Sequence, residues 1–398
     1  MRALFVVNNP VYGGAHNELL GQRAGLAAHG WEVLALTSDE PATGHERLRA
    51  AGVDVTAIPL HRLRASADPR PHLTLAATAA PEVGAIRRVI RARGVDLVQV
   101  HGPTNPHGAI AAHLEGVAVC WHIYDEVAPA PLLRVLMPLV LRLADSVTTI
   151  GRALAASHPG VLGLGERCVV TSPPVDFTRF APDAGRRAAA RAELGIPEGA
   201  VAIGTVGNRN PTKGHRALIE AVHRLAERHP GAVLRIMGAP SPVHAAYERS
   251  LHEAIADHGL AGRAAIVDPG ARVAELLPAL DVFAMSSVPR SEGMPTSILE
   301  AMGCAIPVVA TDVGAVAEEV EDGATGFVVA PLDGHALAAA LDRLAADAGL
   351  RARLGAAGRA RVLEHFGLER VVGNRRRAYE AALAHRAARR RRRSRAAA

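Results

Sequence analysis

The chain has 398 residues, of which 49% are apolar and 3% aromatic; that length calls for two hydrophobic cores rather than one. No apolar run reaches the roughly 18 residues of a membrane span, and the three cysteines, Cys120, Cys168 and Cys304, are far apart without metal-ligand spacing, so they read as free thiols of a reducing cytosol. The formal net charge of +6 comes from one end, where seven arginines lie between Arg386 and Arg395; the body is close to neutral and no nucleic-acid partner is expected of it.

In chain order, MRALFVVNNP carries a short apolar run, ALFVV (3–7), that stops at an Asn-Asn-Pro turn. It reads as a first β-strand rather than a signal peptide. Ala15 to His29 reads as a helix and EVLAL (32–36) as a strand; DLVQV (96–100) and SVTTI (146–150) read as buried parallel strands. PLLRVLMPLVLRLAD (131–145), interrupted by Arg134, Pro138 and Arg142, reads as a buried helix leading into the 146–150 strand rather than as a membrane-docking helix. TSPPVDFTRFAPD (171–183) is rich in turn formers and reads as a linker. The alternation then restarts, with strands at VAIGTVG (201–207), VLRIMG (233–238), AAIVD (264–268), DVFAM (281–285) and PVVAT (307–311).

This pattern predicts an α/β fold of two Rossmann-like domains facing each other across a cleft, each a parallel sheet covered by helices. The expected boundaries are 1–172 for an N-terminal domain, 173–183 for the linker, and 184–367 for a C-terminal domain. A C-terminal helix at 368–388 is expected to pack back on the first domain. The Arg-rich tail, 389–398, is expected to be disordered, with an anionic membrane surface as its conceivable partner through Arg386–Arg395.

Ligands of open α/β sheets sit at the carboxyl ends of strands, and three loops there carry candidate chemistry. In NNPVYGGAHNE (8–18), Gly13 and Gly14 precede a helix whose free N–H groups suit an anion. In VGNRNPTKGH (206–215), Arg209 and Lys213 supply positive charge beside a helix start, which suits a diphosphate; the spacing is not that of a P-loop. The third is SEGMPTSILEAMGCAIPVVATD (291–312). Pro295-Thr296 reads as a helix start with Thr296 as cap, so Glu292 falls in the loop and Glu300 about one turn inside. Eight helical steps would separate the two glutamates by ~12 Å at about 1.5 Å per residue. They therefore suit two hydroxyl-rich parts of one elongated ligand, with phosphates at the amides of Thr296, Ser297 and residue 298 between them. Glu300 lies among apolar neighbours and needs a partner.

S-E-G-M-P-T-S-I-L-E resembles the E-x7-E signature of family 4 of the retaining, GT-B-fold glycosyltransferases, and the likeness extends over nearly the whole chain. The Gly-Gly-Ala loop, "HGWEV", "VDLVQVHG", the "VDFTRF" linker, the Lys-Gly loop and "LLPALDVFAMSS" all fit it. The resemblance implies that Glu300 binds the donor ribose, that Glu292 and Pro295–Ser297 contact the sugar and phosphates, and that Lys213 holds the diphosphate. It further implies that Gly13 and Gly14 face the phosphate or acceptor, and that His122, in "VCWHIYDE", lies near the reacting sugar carbon on the acceptor side. Arg209 stands four residues before Lys213, where the family usually keeps an arginine five or six before it. Pro173-Pro174 replaces the usual Pro-Asn-Gly, and Ala305 a customary glycine.

The implied reaction is metal-independent, front-face transfer of a sugar, with retention, from a nucleoside diphosphate sugar to a hydroxyl acceptor: a lipid-linked sugar, a polysaccharide or a small natural product. It implies no cofactor and a cytoplasmic place, peripheral on the inner membrane face if the tail docks there. The alternatives are a GT-B-fold sugar-nucleotide epimerase and an inactive nucleotide-sugar binder tethered to an anionic surface; the presence of Lys213, Glu292 and Glu300 together favours the transferase.

Overall fold

In the computed structural model, which describes residues 1–9, 13–40, 43–61, 70–124 and 129–397, the chain divides into two units. Met1–Pro174 with Leu368–Ala398 forms the first, and Val175–Gly367 the second.

The first unit is built on a seven-stranded sheet with order β3-β2-β1-β4-β5-β6-β7. Its strands are β1 (Arg2–Val7), β2 (Glu32–Ser38), β3 (Asp54–Ile58), β4 (Leu97–His101), β5 (Ala118–Ile123), β6 (Ser146–Ile150) and β7 (Cys168–Thr171). All pairings are parallel, with Phe5 opposite Ala35 on one side of β1 and Gln99 on the other. Side chains alternate across a strand, and both faces of this sheet are dry. Leu4 and Val6 join a core with Leu36, Val98, Val100 and Trp121. Ala3, Phe5 and Val7 join a second core with Trp31, Val372 and Tyr379. The last two come from the C-terminal helix, so that helix covers one face of the first sheet.

The second unit carries a six-stranded parallel sheet, order β10-β9-β8-β11-β12-β13. Its strands are β8 (Ala202–Val206), β9 (Val233–Met237), β10 (Ala264–Val267), β11 (Val282–Met285), β12 (Val308–Thr311) and β13 (Gly326–Val329). Ile203, Leu234, Ile236, Val282 and Val309 pack against Leu218, Val222, Leu341 and Leu344 of the flanking helices.

Several sequence expectations are corrected. Of the 389–398 stretch, where disorder was expected, the described residues 389–397 are helical: one helix runs Leu368–Ala397. Its arginines find carbonyl oxygens, with Arg386 and Arg390 donating to Gly116 and Arg389 to Arg142. Strands β3, β5, β7 and β13 were not delimited in the sequence; β3, DVTAI, and β13, GFVV, are short and give weak signals. The helix Ala130–Leu143 buries Leu133, Met137, Val140 and Leu143 but leaves Val135 72% exposed. No described helix is long and apolar enough to cross a membrane. Cys120 and Cys304 are buried free thiols, and Cys168 is half-buried.

Candidate active site

The second sheet reverses its strand order at β8, which lies between β9 and β11. A crevice opens at such a switch point, past the carboxyl ends of the two strands. Residues 207–214 follow β8 and residues 286–295 follow β11.

The two loops are fastened to each other. The first passes through a 3₁₀ turn, Pro211–Lys213, capped by Asn210, whose side chain accepts the Thr212 N–H at 3.0 Å. It ends at Gly214, in the left-handed region at φ +63°, where a Cβ would stand 2.0 Å from the Ser286 carbonyl oxygen. Glycine is what lets this loop approach β11 so closely. Ser286 Oγ donates to the carbonyls of Lys213 (3.2 Å) and Gly214 (2.9 Å), and Val288 N–H donates to the Thr212 carbonyl at 2.9 Å. Fixed in this way, Lys213 Nζ donates to Glu292 Oε1 at 2.6 Å, and Ser287 Oγ donates to the same oxygen at 2.6 Å. Lys213 keeps a quarter of its side chain exposed while Glu292 is 8% exposed, so the lysine is the member of the pair that solvent or a ligand can reach.

The helix Thr296–Gly303 begins beside this pair. Its cap is Pro295, and no side chain closes its first turn. The expected Thr296 cap is thus corrected: Thr296 is the first helical residue. Of the three amides expected at a phosphate, that of Ile298 already donates to the Pro295 carbonyl at 3.0 Å, which leaves those of Thr296 and Ser297. Glu300, the fifth residue of this helix, is half-buried, and among the described residues its carboxylate accepts no hydrogen bond. Burial pushes its carboxyl up to about 7, with Arg179 pulling the other way.

Arg209 does not fit its expected place. Its guanidinium is buried, donating to the Gly238 carbonyl at 2.8 Å and to Glu248. It braces the loop after β8 instead of reaching toward a phosphate. His215, at the start of the next helix, is held near pKa 4 by burial, reinforced by Lys213 and Arg209.

The remaining expected residues belong to the first unit. Residues 10–12 of the loop after β1 lie outside the described residues. Gly13 is the extended N-cap of the helix Gly14–Ala28, and Gly14 is exposed, with nothing within 4 Å of where a Cβ would stand. His122 stands within β5 and is wholly buried. Its Nδ1 is 2.8 Å from Thr148 Oγ1 and its Nε2 is 3.0 Å from Glu18 Oε2, without hydrogen-bond alignment in the second case. Burial pulls it down to about 4, against the Glu18 charge. Arg375, from the C-terminal helix, donates to Glu18, to Gln22 at 3.1 Å and to Thr148 at 2.8 Å. Burial alone would raise the Glu18 carboxyl, but Arg375 and His122 outweigh it and hold it well below the usual range. With both ring nitrogens turned into this network, His122 has the placement of a brace rather than of a group that touches a substrate.

The structure therefore brings Lys213, Glu292 and the Pro295–Ser297 helix start together and leaves Arg209 committed elsewhere. Sequence reasoning missed Ser287, although it lies two residues past β11 at the switch point. It also missed Glu18 and Arg375, which are 357 positions apart and carry no local signal.

Both units of the chain resemble known proteins. Residues 13–174 match the model of the glycosyl transferase 4-like domain, and residues 186–361 that of glycosyl transferases group 1. A D-inositol 3-phosphate glycosyltransferase of Stackebrandtia nassauensis is 36% identical over 197 residues, 48% of this chain and 44% of that protein. A GDP-mannose-dependent alpha-(1-6)-phosphatidylinositol monomannoside mannosyltransferase of Mycolicibacterium smegmatis is 32% identical over 266 residues, 65% of this chain and 66% of that protein. The chain thus spans less than half the length of the first of these relatives. Among solved structures, Anabaena HepE in complex with UDP aligns with a TM-score of 0.79 at 22% identity, covering 94% of this chain and 98% of that one. Sucrose-phosphate synthase of Thermosynechococcus elongatus aligns with a TM-score of 0.75 at 21% identity, covering 96% and 99%. With two family models covering both units, and a fold shared with GT-B enzymes, the chain belongs to the group 1, family 4-like glycosyltransferases.

Proposed function

We propose that the protein transfers a sugar, with retention, from a nucleoside diphosphate sugar to a hydroxyl acceptor, without a resident metal or cofactor. The observation that carries this reading is the Lys213–Glu292 contact of 2.6 Å at the switch point beside an uncapped helix start. A cation, a carboxylate and free amides in one crevice match the three parts of such a donor: diphosphate, sugar hydroxyls and phosphate oxygens. Lys213 turns from Glu292 to the diphosphate as the donor enters, and Glu292 takes sugar hydroxyls in exchange. The amides of Thr296 and Ser297 hold a phosphate at the positive end of the helix, and Glu300 accepts from the ribose.

In the chemical step, the acceptor oxygen bonds to the anomeric carbon as the bond from that carbon to the phosphate oxygen breaks. The acceptor proton passes to a phosphate oxygen on the same face, and the nucleoside diphosphate leaves. Negative charge grows on the diphosphate, where Lys213 and the helix start are already in place. Relatives that act on inositol phosphate and on a phosphatidylinositol mannoside support a polyhydroxylated acceptor.

The test is a screen of UDP-, GDP-, ADP- and dTDP-sugars for thermal protection and sugar release, with and without EDTA. One nucleotide family is expected to protect and to turn over equally in EDTA. Failure of every donor to protect or react would overturn the reading, and turnover abolished by EDTA and restored by Mg²⁺ would overturn its metal-free part.

A further inference from the structure

Glu319 ends the short turn Val316–Glu319 that follows β12. It is 0% exposed, and neither carboxyl oxygen has a hydrogen-bond partner among the described residues. An ionised carboxylate stripped of water and of donors is strongly disfavoured, so the group holds its proton. The direction of its titration agrees: burial, reinforced by the charges of Glu292 and Glu318, keeps the carboxyl well above the usual range.

The turn is anchored on the Glu292 segment. Ala315 N–H donates to the Gly293 carbonyl at 2.7 Å. Gly314, at φ +59°, lies so close that a Cβ would stand 2.3 Å from the Gly293 oxygen and 2.6 Å from that of Glu292. From the other side, Arg361 donates to the carbonyls of Glu318 and Glu319 at 2.8 and 2.9 Å, so it fixes the backbone and leaves the Glu319 carboxyl unpaired. The charged groups around Glu319 are thus Glu292 from the loop after β11, Glu318 of its own turn, Arg361 at its backbone, and Lys213 beyond Glu292. An unsatisfied buried acid of this kind costs stability, yet no contact among the described residues uses it.

We propose that Glu319 is a positioning residue for Glu292, donating its carboxyl O–H to the Glu292 carboxylate once Lys213 has left that carboxylate for the diphosphate. This rests on the donor-binding roles assigned above to Lys213 and Glu292. With the donor bound, Glu292 has lost its ammonium partner; the Glu319 proton then replaces part of that interaction and holds the carboxylate toward the sugar hydroxyls. A second charged carboxylate at the same place would repel Glu292 instead.

The experiment compares Glu319→Gln and Glu319→Leu with the wild type. Glutamine keeps a neutral donor of the same length, while leucine removes the unsatisfied acid and is expected to leave the melting temperature equal or higher. Glu319→Gln is expected to retain kcat within about threefold. Glu319→Leu is expected to lose roughly tenfold or more in kcat, the scale of one hydrogen bond to a charged group, with free nucleoside diphosphate affinity unchanged. A Glu319→Leu protein at least as stable as wild type with full kcat would overturn the proposal. So would Glu319→Gln losing as much as Glu319→Leu.

A second readout needs no donor. The folded protein binds the Glu319 proton more tightly than the unfolded chain, so its contribution is complete below the ordinary carboxyl range and is lost as the pH rises toward its folded value. Wild-type stability should therefore fall more steeply from pH 5 to 9 than that of Glu319→Gln. Identical slopes would overturn the proposal whatever the fate of the donor reading, which stands or falls on wild-type turnover.

Discussion

At the scale of single residues, Lys213 and Glu292 share one short contact in the free protein, and that contact sharpens what each should do. Lys213 meets charge that grows in the transition state, so Lys213→Ala is expected to lower kcat by roughly 10²-fold or more. Glu292→Gln is expected to cost turnover and sugar discrimination while nucleoside diphosphate affinity stays level or rises, because Lys213 no longer has to leave a carboxylate. Calorimetry with the free nucleoside diphosphate decides it: equal losses in the two variants would place both side chains on the same part of the ligand. Glu300 adds a pH signature. With its carboxyl pushed up to about 7 by burial, it accepts ribose hydroxyls more strongly once it has lost its proton, so nucleoside diphosphate affinity should rise as the pH passes upward through about 7. Glu300→Gln should bind more weakly and without that dependence; a pH profile unchanged by the substitution would remove Glu300 from the ribose site.

At the scale of elements, the site depends on how closely the loops after β8 and β11 approach. Gly214 sits in the left-handed region against the Ser286 carbonyl, and Ser286 Oγ returns hydrogen bonds to the Lys213 loop. Gly214→Ala combines backbone strain with a clash between a methyl group and a carbonyl oxygen. It is expected to destabilise the second unit by roughly 1–3 kcal/mol and to lower kcat along with it, as the Lys213 loop is forced away. A denaturant midpoint that does not move would mean the loop has another conformation available.

At the scale of the whole molecule, the chain closes its first unit with its last helix. Val372 and Tyr379 fill that unit's second core, and Arg375 neutralises the buried Glu18. Ending the chain at Gly367 should abolish cooperative unfolding of the first unit, since removing one partner of a buried ion pair costs about 3–5 kcal/mol before the lost apolar burial is counted. Ending it after Arg386 removes the carbonyl contacts of Arg389 and Arg390 and the 3.7 Å approach of Arg389 to the buried Asp145, but leaves His385 at 2.9 Å from that carboxylate, and should move the melting temperature by a few degrees at most. Scanning calorimetry of the two truncations tests this; a cooperative first-unit transition without the helix would show that the helix is an accessory.

The sequence by itself determined much of this protein. Runs such as DLVQV and PVVAT announce buried parallel strands, and the spacing of Glu292 and Glu300 places one before a helix and the other inside it. These are local signals, carried by periodicity and turn chemistry within about twenty residues. Tertiary structure decided what long-range packing controls. Arg209 looked like a phosphate ligand until Glu248, 39 residues away, took its guanidinium. His122 looked catalytic until Glu18 and Thr148 enclosed it, and the arginine run looked disordered until carbonyls at Gly116 and Arg142 met it. In each case the residue type sets which bonds a side chain can make, but the partner that satisfies them comes from distant sequence, because a buried charge or a helix end takes whatever donor or acceptor the fold brings beside it.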